Sequence, residues 1–415
     1  METVIIGAGG AGISALETIR RCDKDIPLTV ISAERTVPYS LCALPSLLGG
    51  ELPHKALPRV SKNFFKKNSV KVLQGSPVQR ILADKQKLIL KNGKSVKYQK
   101  LLIAAGSMPI IPPIEGIDSP GVFSLSTLAG CRAINDYTKK HKVRRAVIIG
   151  AGFTGIETAL SLHERGIKTV IVEMLPRVLA RILDEDMTEP VEQILNGKGI
   201  EIKLGEEVIQ VTGGKAVNGI RLKSGGLIAG DLVVVSIGVR PNIKFLEGSG
   251  IKTNRGIIVN NNMRTNIENV YAAGDAAEAH DFILGKPALS AIWPNAVEQG
   301  RIAALNMMDI LTVYEGNVSV NALNIDGISV TGMGQTANEA QQQGASGLEE
   351  IRYRNQHSRR KLILRDNRII GFQSFGVFRN SGTIWNYMQK RQDISALKNE
   401  LLKDSLKLQY NTKGI

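Results

Sequence analysis

One phrase is written twice in this chain, as VIIGAGGAGISALETI at residues 4–19 and VIIGAGFTGIETALSL at 147–162, with eight of the sixteen positions identical. Each copy sets three glycines at GxGxxG spacing, Gly7, Gly9 and Gly12 in the first and Gly150, Gly152 and Gly155 in the second. The first glycine permits a tight strand-to-helix turn, the second lets backbone approach a pyrophosphate, and the third lets the helix pack close on the sheet. The helix that follows points its unpaired N–H groups and the positive end of its dipole at phosphate charge. A second apolar run then ends in an acid, Glu34 after PLTVISA and Glu173 after KTVIV, placed to accept hydrogen bonds from both ribose hydroxyls. Two such units predict an α/β chain with two Rossmann-like dinucleotide-binding domains.

The chain has 415 residues, more than one ordinary core accommodates, so two or three domains are expected. The segments SVKVLQG, QRILADKQKLIL and SVKYQKLLIAAG alternate apolar and polar residues around Asn92-Gly93 and read as an antiparallel hairpin or meander. PPIEGIDSP at 112–120 is a crossover, DLVVVSIGVRPN a buried strand ending in a turn, and NVYAAGDAAEA a strand that places Asp275 at its carboxyl edge, where open α/β sheets bind ligands. From about Glu315 short strands take over. DISALKNELLKDSLKL, with Leu397, Leu401, Leu402 and Leu406 roughly on one face, predicts a closing helix. The expected division is 1–111 with 240–314 for one dinucleotide domain, 112–239 for the other, and a small α+β domain at 315–415.

No apolar run reaches the ~20 residues that cross a bilayer, and the first strand begins at Thr3 with no room for a signal sequence, so a cytoplasmic location is expected. The three cysteines and five histidines show no CxxC pair and no metal-ligand spacing, so no metal site is expected and any iron-sulfur cluster would belong to a partner. The net charge of +15 is concentrated. Residues 59–100 carry twelve Lys/Arg against Asp84, and residues 351–415 carry fourteen against Asp366, Asp393, Glu400 and Asp404, which leaves the rest of the chain net acidic. Two readings stand: a solvated basic surface, or a face that steers an acidic protein partner. Nucleic acid is not expected, because no nucleic-acid module is present.

These motifs resemble the FAD-dependent pyridine nucleotide-disulfide oxidoreductases over roughly residues 1–310. The resemblance implies FAD at the first glycine motif with Glu34, Arg35 and Val78 among the cofactor-binding residues, and chain crossings at LLIAAGSMP (Ala105, Gly106) and SIGVRPN (Gly238). It also implies Asp275 on the ribityl chain and Trp293 and Pro294 near the isoalloxazine. The second motif would hold NAD(H), with Phe153 as the aromatic gate over the flavin and Glu157 as the carboxylate beside the nicotinamide. Glu173 should accept a 2′-hydroxyl and repel a 2′-phosphate, so NAD(H) is expected over NADP(H), with Arg177 and Arg181 close enough to soften the preference.

PYSLCALPSLLGG resembles the stretch of CoA-disulfide reductases and NADH oxidases in which a lone cysteine faces the flavin, here Cys42. A short helix after it would favour the thiolate. Two departures stand against that chemistry: Gly10 replaces the histidine that oxidases of this group carry, and the tail lacks the tyrosine segment of the CoA-disulfide enzymes. Cys42 is therefore either redox-active or a small buried residue packed beside the flavin. The tail RRKLILRDNRIIGFQSFGVFRNSG looks more like rubredoxin reductases and FAD subunits that serve iron-sulfur proteins. The expectation is an enzyme that exchanges a hydride with NAD(H) and electrons with an acidic iron-sulfur protein or subunit. Its C-terminal domain would pair with a second copy or a different chain. The alternatives are a thiol-based CoA-disulfide or persulfide reductase or NADH oxidase, and a non-enzymatic module that keeps FAD as a fixed cofactor.

Overall fold

Strands that read as unbroken runs of Val and Ile belong where both faces are covered, and the chain places them so. The computed structural model describes residues 2–398 and 400–403. The strand Thr3–Ile6 is buried along its whole length and lies parallel to Leu28–Ile31 on one side and Lys100–Ile103 on the other. Val270–Ala272 and Lys71–Leu73 extend this parallel sheet at its two edges. A second parallel sheet repeats the plan around Arg145–Ile149, flanked by Lys168–Glu173 and Leu232–Val235, with Glu201–Leu204 and Val122–Phe123 outside. In both sheets the strand that leads into the glycine motif is central, with the next strand of the chain on one side and a much later strand on the other. The order therefore reverses at that strand, and a crevice opens at its carboxyl end.

The two predicted crossings run side by side, Ser107–Pro109 paired antiparallel with Val239–Pro241. The expected meander is present as Val78–Leu82, Lys87–Leu90 and Ser95–Lys97, but it is narrower than the alternation implied. Lys71–Leu73 and Lys100–Ile103 pair instead with the strands of the first parallel sheet. The helix Trp293–Met307 crosses the helix Gly10–Cys22 at a contact that only glycine permits: a Cβ on Gly300 would lie 2.2 Å from the Ala11 carbonyl oxygen.

Past residue 315 the chain forms a five-stranded antiparallel sheet in the order Val320–Ile325, Ile328–Gly334, Arg368–Phe375, Arg359–Arg365, Leu348–Arg354. Its core centres on Leu362, Ile363, Phe372 and Ile384. Helix Ala337–Gln342 begins with a capping box between Thr336 and Glu339, and helix Ser381–Gln389 packs on the sheet. The closing helix expected at 393–408 does not form within the described residues. At 395–398 and 400–402 the chain runs in turns: the Ile394 N–H is taken by the Asn367 carbonyl, and the Leu402 carbonyl accepts from buried Arg360. Leu406 lies outside the described residues.

Candidate functional site

The two glycine motifs fold the same way, glycine by glycine. Gly7 and Gly150 have φ of +102° and +109°, and a Cβ on either would strike a backbone oxygen of the neighbouring strand end, Ala104 at 2.0 Å and Ser236 at 2.3 Å. Gly12 and Gly155 sit under their turns, where a Cβ would come within 2.0 Å of the Gly7 carbonyl oxygen and 2.1 Å of that of Gly150. At the central glycines, Gly9 and Gly152, a Cβ would meet nothing within 4 Å. The bare backbone of each turn therefore opens onto a cavity, which is what close approach of a pyrophosphate requires.

The first cavity, of about 280 Å³, brings together Gly7, Gly9, Glu34, Cys42, Ala105, Gly106, Asp275 and Trp293, residues spread across almost three hundred positions of sequence. Gly7 and Ala105 also face an adjoining cavity of about 1040 Å³ that Val78 lines. Arg35 is outside both linings and lies along Gly75, and Pro294 starts the helix behind Trp293 rather than facing the first cavity. Glu34 Oε2 accepts from the Tyr39 hydroxyl at 2.8 Å, and that hydroxyl accepts from the Leu128 N–H at 2.8 Å. Burial and the adjacent carboxylate raise the Tyr39 hydroxyl well above its ordinary value, so it stays a donor. Asp275 is deeply buried, which pushes its carboxyl upward, while a 2.7 Å hydrogen bond from the Ser107 hydroxyl opposes the shift. Cys42 lies in the wall of the first cavity. The ring of Trp293 lies 3.4 Å from the point where Gly10 would carry a Cβ, so the indole packs directly over this glycine.

The second cavity, of about 550 Å³, is lined by Gly150, Gly152, Glu173, Arg181 and Gly238, among others. Both oxygens of Glu173 are held by backbone, Oε2 by the Ala151 N–H at 2.7 Å and Oε1 by the Leu175 N–H at 2.9 Å, which aims the carboxylate at the phosphate turn itself. Phe153 and Glu157 are not in this lining. Phe153 opens the helix Phe153–His163 and packs against the core that includes Tyr39 and Leu44.

Burial raises the Glu157 carboxyl to about 7. The folded state thus holds this proton more tightly than the unfolded chain does, so the carboxyl costs stability as pH rises from about 4.5 through 7, on the order of 3 kcal/mol once ionised. Glu157→Gln keeps the neutral shape at every pH. Its melting temperature should exceed that of the wild-type holoprotein at pH 8.5 and match it at pH 4.5, and equal melting at both would refute the shift.

Tyr39, Ser107 and Thr127 escaped the sequence reading although all three line the first cavity. Ser107 lies inside the crossing segment already singled out, and Tyr39 inside PYSLC. Their roles depend on partners 168 and 89 positions away, which local pattern does not carry. Among the described residues no group of His, Cys, Asp and Glu could hold a metal ion, and no helix is long and apolar enough to cross a membrane.

Twin dinucleotide cavities at the switch points of two parallel sheets define a flavoprotein reductase of the two-dinucleotide kind. The chain belongs to the pyridine nucleotide-disulphide oxidoreductases, whose family description matches residues 1–300. It is 34% identical to an NADH oxidase of Methanocaldococcus jannaschii over 81% of this chain and 77% of that one. It is 29% identical to the NADH-dependent phenylglyoxylate dehydrogenase subunit epsilon of Aromatoleum evansii, over 97% and 95%. A solved NAD-dependent persulfide reductase from A. fulgidus superposes with a TM-score of 0.89 at 28% identity, covering 96% of this chain and 78% of that one. The chain is an FAD-dependent NAD(P)H oxidoreductase.

Proposed function

We propose that this enzyme moves a hydride between NAD(H) in the second cavity and FAD in the first, and exchanges electrons with an iron-sulfur carrier or a partner subunit. The observation that carries the reading is the pair of glycine turns, each with a bare central glycine facing its own cavity. FAD, when bound, supplies hydride exchange on one side and one-electron exchange on the other, chemistry that no protein side chain provides. The chain's part is to hold it: the Gly7–Gly12 turn for the pyrophosphate, Glu34 for a ribose, Asp275 with Ser107 for the ribityl hydroxyls, and Trp293 beside the ring. Glu173 takes the hydroxyls of the NAD(H) ribose, which favours NADH over NADPH. Residues 1–111 with 240–314 form the FAD domain, 112–239 the NAD domain and 315–415 the interface domain.

Two observations favour a separate electron partner. The A. evansii relative, matched over nearly its whole length, is named as a subunit of a dehydrogenase. Exposed Lys85, Lys91, Lys94 and Lys97 on the meander form a basic surface suited to an acidic protein. The C-terminal basic run contributes less to such a surface than its charge implies, because Arg360 and Lys361 are fully buried and Arg359 pairs with Glu189. A thiol-based reductase is the second reading, favoured by the position of Cys42 in the wall of the first cavity. Cys42→Ser separates the two. NADH-driven reduction of a ferredoxin or a one-electron dye should stay within twofold of wild type, and its collapse would install the thiol mechanism instead.

A further inference from the structure

The loop 174–184 between strand Lys168–Glu173 and helix Glu185–Gly197 forms one wall of the second cavity, through Leu179, Ala180, Arg181 and Ile182. Its inner face is stitched to the glycine turn: the Leu179 N–H donates to the Ala151 carbonyl at 2.9 Å, with Leu179 in the left-handed region at φ +50°. A leucine held there needs outside support.

Its outer face rests on the C-terminal sheet. Asp184, which ends the loop, is buried, and its N–H donates to Gln373 Oε1 at 2.9 Å. Its Oδ2 accepts from Gln373 Nε2 at 2.9 Å and from Lys361 Nζ at 3.4 Å. Lys361 also bonds Asp186, which anchors the start of the helix. Beside this joint, Ile182 fits a notch where the sheet carries Gly332: a Cβ on Gly332 would stand 2.4 Å from Ile182 Cγ2 and 3.1 Å from the Ile182 carbonyl oxygen. Gly332 and Gln373 are register partners on adjacent strands, so notch and joint belong to one rigid patch.

We propose that this patch of the C-terminal sheet, Gly332, Lys361 and Gln373, positions the coenzyme-binding loop, so that affinity for NAD(H) is set partly by a sheet that contributes nothing to the cavity lining. The inference rests on the reading that the second glycine turn holds NAD(H). Any partner that shifts the sheet then changes coenzyme affinity, and by linkage the coenzyme changes how firmly the sheet is held.

Gly332→Ala pushes Ile182 toward the cavity, and Lys361→Met removes the cation from the joint. Each holoenzyme variant should show an NADH KM at least fivefold above wild type, with flavin content and kcat at saturating NADH within twofold. Lys398→Gln, which breaks a surface pair with Glu349 on the same sheet, should leave KM unchanged. Hydrogen exchange on the wild-type holoenzyme needs no variant: NAD should slow exchange across residues 328–336. Unchanged KM in the folded variants, or no protection of 328–336, overturns the proposal. A Gly155→Val control locates the failure: if it too leaves NADH binding intact, the coenzyme reading itself is wrong.

Discussion

Gly12→Val should yield a colourless protein and Gly155→Val a yellow one that NADH no longer reduces. Both substitutions place carbon about 2 Å from a carbonyl oxygen of the same turn, at Gly7 in one case and Gly150 in the other, a separation that no side-chain rotation relieves because the obstacle is backbone. The turn must open, and the N–H groups that would meet the pyrophosphate lose their aim. The two sheets have separate cores, so damage to one turn leaves the other standing. Absorbance near 450 nm after purification reads the first site, and anaerobic mixing with NADH reads the second. Flavin retained by Gly12→Val, or wild-type reduction by Gly155→Val, would break the assignment of coenzymes to turns.

Glu173→Gln should lower the NADH-over-NADPH ratio of kcat/KM by about tenfold to a hundredfold. A hydrogen bond to a charged group contributes ~1.5–3 kcal/mol, and each 1.36 kcal/mol is a factor of ten. The amide keeps the shape but removes the charge that repels a 2′-phosphate. It also cannot accept from both the Ala151 and Leu175 N–H groups, because one of its ends is a donor. KM for NADH should therefore rise while KM for NADPH falls, with exposed Arg181 at the cavity edge available to the added phosphate. An unchanged ratio in steady-state assays with both coenzymes would show that Glu173 is only a capped strand end.

What could be read from sequence was what depends on neighbours in sequence. The glycines of each motif act within six residues of one another, and the acids follow on the next strand, so spacing alone carries them. The buried strands were legible because Val and Ile runs need cover on both faces. Charge was misleading where it turns inward. Arg360 counts toward a basic tail, yet it is fully buried, between the rings of Tyr353 and Phe378 and the carbonyls of Val377 and Leu402. Lys361 neutralises Asp184 and Asp186 nearly two hundred positions away. The leucines at 397–402 suggested a helix because their spacing fits one. Contacts at Asn367 and Arg360 instead fix the backbone at Ile394 and Leu402, and no local period encodes those.

Gly7 closes against Ala104 and Gly150 against Ser236, so neither turn is a local structure, for all that its motif is local. Each needs a strand made much later, and the first cavity also waits for Asp275 and Trp293. During synthesis the first motif to leave the ribosome is thus among the last features to be completed, and the prosthetic group meets a finished berth only after most of the polypeptide has emerged.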